Sequence, residues 1–281
     1  MTADRLILGS APEGFDAFLV LREWARGVPV VHVARDDKRA EALRAALAFH
    51  DPSAPVLTFP GWDCLPYDRI SPNPAICAAR MSTLAGLVHG LIQQPIVITT
   101  LSAVTQRLPA REVVRNASFI AVAGSRLDEK ALRAFLVRAG FMQTHTVAEP
   151  GDYALRGGIV DIWPAGMAQP VRLDFFGDVL EALRPFDPET QRSTGRMDRL
   201  DLAPMSEVIL DEAAITRFRQ NYRIAFGAGG ADDPLYESVS AGRKQAGMEH
   251  WLGFFHDRLE TLFDYLPGAS ITLDDQVTPA R

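Results

Sequence analysis

The first 115 residues alternate short apolar runs with longer amphipathic stretches. "RLILGS" (5–10), "VPVVHVAR" (28–35), "APVLTFP" (54–60) and "PIVITT" (95–100) are short and bounded by turn residues, which predicts four strands. Between them, "GFDAFLVLREWARG" reads as a helix ending near Gly27. "DDKRAEALRAALAFH" reads as a helix capped by Asp36 or Asp37, and "NPAICAARMSTLAGLVHGL" as a third. "LSAVTQRLP" adds a short helix after the fourth strand. Continuous apolar strands alternating with helices predict a parallel sheet covered on both faces.

From residue 118 the pattern changes. A strand, a helix closed by Gly140 and another strand lead to three extended runs, separated by "PAGMAQP" and by Gly177-Asp178. Turns this short need no crossover helix, so an antiparallel sheet is expected. In "VRLDFF" the side chains alternate. Val171, Leu173 and Phe175 share one face, as a core requires, and Arg172, Asp174 and Phe176 share the other. A phenylalanine beside an arginine on the polar face has two explanations. Phe176 is covered by a loop or helix while Arg172 pairs with Asp174 or Asp161, or the two are anchors of a protein interface. Arg156, before Gly157-Gly158, starts the neighbouring run.

The rest holds an amphipathic helix, "AAITRFRQNYRIAF". A glycine-rich "GAGGADD" follows, read as a mobile loop, then an aromatic-rich segment, 248–267, read as a packing surface.

Composition narrows the chemistry. The 281 residues are 47% hydrophobic and 23% charged, suiting a globular protein with a substantial core. No stretch approaches the roughly 20 apolar residues of a membrane span, and no secretory signal pattern opens the chain. Cys64 and Cys77 form no metal or disulfide framework, so a cytoplasmic location is expected. The net charge of −6, with no Lys/Arg run, argues against direct nucleic-acid binding.

Individual motifs add little catalysis. Gly9 and Gly14 have the spacing of a phosphate loop, but the required lysine and hydroxyl are replaced by Phe15 and Asp16. No Walker B strand follows, so the glycines read as shaping a strand-to-helix turn. His250 and His256 lack a metal-binding spacing and read as structural. The pairs Asp36-Asp37, Asp232-Asp233 and Asp274-Asp275 read as caps and solvated edges. The loop "GWDCLPYDRISPNP" (61–74), with Trp62 and Tyr67, reads as an ordered loop with aromatic anchors packed on the sheet edge, the alternative being a ligand loop.

Two blocks carry a family resemblance. "FPGWDCLPYDRISPNPAICAARMSTLAGL" resembles the first module of the bacterial transcription-repair coupling factors (Mfd). "DYALRGGIVDIWPAG" and "VRLDFFGDVLEALRPFDPETQR" resemble the small domain that these proteins share with UvrB. The likeness runs from about residue 6 to about residue 273. It implies an α/β fold: a degenerate helicase-like (RecA/UvrB-like) parallel-sheet domain with an inserted small α+β domain containing an antiparallel sheet. Residues 1–117 would be the first part of that domain, 118–203 the small UvrA-binding domain, and 204–281 the C-terminal remainder. It further implies an N-terminal fragment that recruits UvrA without catalysis of its own or a cofactor, through Arg156, Arg172 and Phe176. RNA polymerase and double-stranded DNA would engage other regions of such a protein, and no membrane is involved. UvrB's DNA-clamping hairpin has no counterpart between Pro66 and Leu84. The alternative is a divergent P-loop domain with residual nucleotide binding.

Overall fold

A computed structural model describes residues 6–8, 12, 14–227, 233–275 and 277. The chain divides into two compact units. One comprises Met1–Gly61, Ile92–Thr105 and Leu266–Arg281, and the other Trp62–Leu91 and Gln106–Tyr265.

The first unit is built on a parallel four-stranded sheet. Its order is Ser270–Leu273, Val30–Ala34, Ile96–Thr100, Val56–Phe59. The two central strands are buried at every position, as a sheet covered on both faces requires. Ala17 and Val20 of the Phe15–Trp24 helix and Leu43 and Leu47 of the Asp37–His50 helix pack with Val30, Ile96 and Ile98. Asp36 caps the second helix by accepting from the Arg39 N–H at 2.8 Å.

Three of the four expected strands are present, and the described part of the first, Leu6–Leu8, is in no strand. These three residues are exposed, and Gly9 lies outside the described residues. The edge of Val30–Ala34 away from Ile96–Thr100 is paired with Ser270–Leu273, a segment more than 230 residues later. An apolar run states that a segment suits a sheet. It does not state which ladder accepts it.

The second unit contains a five-stranded sheet in the order Val179–Pro185, Val171–Phe176, Ile159–Ile162, Asp152–Arg156, Met142–Gln143. The first four strands pair antiparallel, as expected, and the two-residue strand at the far edge is parallel. The class is therefore α/β, with a four-stranded parallel sheet and an inserted small mixed sheet. Gly157 (φ 46°) and Gly158 (φ 84°) make the turn between Arg156 and Ile159. Both lie in the left-handed region that a two-residue hairpin turn demands, where a side chain would be strained.

One face of this sheet carries the core. Tyr153, Val160, Ile162, Val171, Leu173, Leu180 and Leu183 are buried against Leu132, Phe135, Leu136 and Ala139 of the Glu129–Ala139 helix. The helical residues recur at three- and four-residue steps, so they form one stripe. Gly140 closes the helix at φ 90°.

Elsewhere in this unit, Asn73 and Pro74 start the Pro74–Val88 helix, with Asn73 accepting from the Ala75 N–H. Its Arg80 is completely buried and pairs with Glu207, Nε to Oε1 at 2.5 Å. Trp62 donates to the same oxygen, and Ser71 donates to Glu249 at 2.6 Å. Tyr67 packs on Trp251, so the 61–74 loop is anchored by its aromatics and by hydrogen bonds within this unit. Phe218 and Tyr222 of the Glu212–Phe226 helix join Tyr236 and Phe255 in a separate core, with Phe218 and Phe255 stacked 4.7 Å apart. This is the packing surface the aromatic-rich segment predicts. Residues 228–232, most of the glycine-rich loop, lie outside the described residues.

Candidate protein-docking face

The face of the small sheet opposite the core is set by cross-strand register. Arg172 lies opposite Asp161 on one side and Arg184 on the other, and Asp174 lies opposite Ile159 and Ala182. Arg156 lies opposite Ile159, and Phe176 opposite Val179 at the Gly177-Asp178 turn. Residues opposed in a ladder share a face, so Arg156, Asp161, Arg172, Asp174, Phe176 and Arg184 line one surface.

Part of this surface is closed. Phe186 is buried with Val147 and Ala154 in a small second core. The Arg172 guanidinium stacks over Phe186, 4.8 Å from its ring centre. It also grips Asp161 with two bonds, Nε to Oδ1 at 2.7 Å and Nη2 to Oδ2 at 2.9 Å. The bidentate bond to Asp161 raises the Arg172 pKa further above its ordinary value. Arg172 is only 19% exposed and Asp161 1%.

Towards the turn the surface opens. Phe176 is 76% exposed, with neither loop nor helix over it. Arg156 is exposed. One of its terminal nitrogens donates to the His145 carbonyl at 2.8 Å and to Thr146 Oγ1 at 3.0 Å. Of the two pairings the sequence offers Arg172, the structure selects Asp161, while Asp174 turns to Arg184 at 3.2 Å. An open groove of about 640 Å³ flanks the turn, with Arg126, Lys130 and Arg133 against Asp128, Glu129 and Asp178. Its balanced charges favour neither sign of ligand.

Sequence reasoning misses Arg184. Counting back from a two-residue turn with no irregularity would put Leu183 opposite Arg172. A bulge between Leu180 and Ala182 leaves Glu181 unpaired and shifts the register by one. Leu180 and Leu183 are both buried although they stand three apart, an odd spacing that breaks the strand alternation. That spacing is the signal that could have located the bulge.

Several of the remaining candidates have structural partners. Gly14 (φ 84°) precedes the Phe15–Trp24 helix, and Phe15 is exposed. Asp16 accepts from Arg39 at 2.5 Å, and Arg39 also pairs with the nearly buried Asp274 at 3.1 Å. Asp275 pairs with Arg35 at 3.5 Å, and Asp233 caps the Pro234–Ser240 helix, while Asp232 is outside the described residues. His250 meets the Ile70 carbonyl at 3.0 Å, and His256 the Glu207 carbonyl at 3.4 Å. Burial pushes the His256 pKa down, suiting a neutral structural ring. Among the described residues no group of His, Cys, Asp or Glu side chains could hold a metal ion, and no helix is long and apolar enough to cross a membrane.

Comparison with known proteins bears on the same segment. The UvrB interaction domain family matches residues 121–208, which contain every residue of the candidate face. The chain is 32% identical over 96% of its length to a transcription-repair-coupling factor of Haemophilus influenzae. It is 34% identical over 88% of its length to that of Escherichia coli, and 34% identical over 90% to that of Myxococcus xanthus. It spans 24%, 21% and 22% of those three proteins. Over about nine tenths of its length the chain is thus homologous to the N-terminal region of the transcription-repair-coupling factors of DNA repair, and it carries their UvrB interaction domain.

Proposed function

We propose that this chain is a non-catalytic binding module that recruits UvrA to stalled transcription complexes through the outer face of its small sheet. The observation that carries the reading is the exposed Phe176 beside the hairpin turn, on the same face as Arg156 and Arg172. A large aromatic ring held bare on an ordered turn, with arginines beside it, has the composition of an interface anchor. The domain match around it supports a protein partner over a small molecule. Coupling to RNA polymerase and to duplex DNA would belong to other parts of the much longer relatives.

The alternative, residual nucleotide binding, has less support. Asp16 holds a carboxylate where phosphate-bound Mg²⁺ needs a hydroxyl, and Arg39 engages it from the neighbouring helix. The test is calorimetric titration of the chain with purified UvrA. Saturable binding that Phe176→Ala weakens is expected, and a parent chain that does not bind UvrA overturns the proposal.

A further inference from the structure

Arg184 is the least settled charge on the docking face. Its Nε lies 3.2 Å from Asp174 Oδ2, an ion-pair distance. Yet no hydrogen bond joins the two atoms, and each is shielded from solvent without another partner among the described residues. Polar atoms in that condition are destabilising until something satisfies them. Arg172, its cross-strand neighbour, is held differently, with two short bonds to Asp161 and a ring beneath it.

The bulge at Glu181 is what brings Arg184 to this surface; regular pairing would have sent it into the core. Bulges are the usual device for re-aiming a side chain in a sheet. Here the device places two guanidinium groups directly opposite each other, a repulsive arrangement. Asp161 offsets one through a tight pair, and Asp174 offsets the other through a loose one. The surface thus presents Arg156, Arg172 and Arg184 with Asp161 and Asp174, and the bulged Glu181 is exposed beside them. Asp161 is buried and spent on Arg172, so Asp174 is the sole carboxylate of this row able to exchange its partner.

We propose that Arg184 is a further contact residue of the docking face, and that it binds a carboxylate of UvrA. The inference rests on the docking reading above. On docking, the partner's carboxylate meets the solvent-exposed part of the Arg184 side chain, which is 40% exposed, and Phe176, two residues from Asp174 on the same strand face, fills an apolar site alongside.

The experiment measures UvrA affinity and thermal midpoint for the whole chain and for Arg184→Gln, Arg184→Glu, Asp174→Asn and Phe176→Ala. Arg184→Gln is expected to weaken binding by about tenfold and Arg184→Glu by more, with a shallower salt dependence and little change in midpoint. Asp174→Asn removes the internal competitor and should bind at least as tightly as the parent. Arg184 variants that bind like the parent, while Phe176→Ala does not, overturn this inference and leave the docking reading standing. Asp174→Asn weakening as much as Arg184→Gln also overturns it, because the pair would then only brace the sheet. If the parent fails to bind UvrA, or Phe176→Ala binds as the parent does, both readings fall together.

Discussion

Arg172 and Asp161 form a bidentate pair across adjacent strands, at 2.7 and 2.9 Å, with the carboxylate almost completely buried. Removing the arginine would strand a charge in the interior, which typically costs about 3–5 kcal/mol. Arg172→Ala should therefore lose much of the stability of the small domain in urea titrations. Its binding defect would partly reflect a damaged fold. Replacing both partners with apolar residues, Arg172→Met with Asp161→Leu, should recover most of that loss. If the double variant is no more stable than Arg172→Ala alone, the pair is not the source of the cost.

Phe176 offers the cleaner test of docking. Its ring is exposed and outside the small domain's core, so truncation removes little buried area. Phe176→Ala should weaken UvrA binding by about 1–3 kcal/mol, typical of an interface anchor, and leave the unfolding midpoint unchanged. A clear fall in the midpoint would mean that the ring packs on the fold.

Stability of the first unit should fall below neutral pH because of His32. The ring is buried, with Nδ1 2.9 Å from Thr272 Oγ1. Burial pushes its pKa down from 6.5 to about 4, against smaller opposing effects of Asp274 and Asp16, while Arg39 lowers it further. The unfolded chain binds the proton first as pH falls. The stabilisation is thus complete above pH 6.5 and is lost progressively down to about pH 4, on the order of 3 kcal/mol in all. His256, lowered for the same reason, adds an effect of the same sign in the second unit. Urea unfolding at pH 7.5 and 5.5 should show a smaller loss for His32→Asn than for the parent. Equal losses would exclude His32 as the cause.

The segment carrying Gly14, Phe15 and Asp16 should bind no nucleotide. Titration with an ATP analogue and Mg²⁺ is expected to give no saturable signal, and micromolar binding would revive the alternative. Asp16→Ala removes one partner of Arg39 but leaves Asp274 in place. It should lower stability by less than Asp274→Ala, whose carboxylate is the more buried of the two.

Much of the architecture is legible along the chain because its causes are local. Asp36 and Gly140 act at the helix ends where side-chain chemistry and backbone freedom predict. "VRLDFF" alternates in burial because a strand's side chains must point to opposite faces, so the outward placement of Arg172 and Phe176 follows from spacing. Partner choice does not follow from spacing. Leu6–Leu8 have a strand's composition but no strand pairing, and Ser270–Leu273 takes the ladder position beside Val30–Ala34. Arg172 could reach Asp161 or Asp174 on its own face; the register chose Asp161. One bulged residue, Glu181, turned Arg184 outward. A local pattern assigns each side chain to a face. The residue opposite it depends on how distant strands align, and a shift of one position there exchanges core for surface.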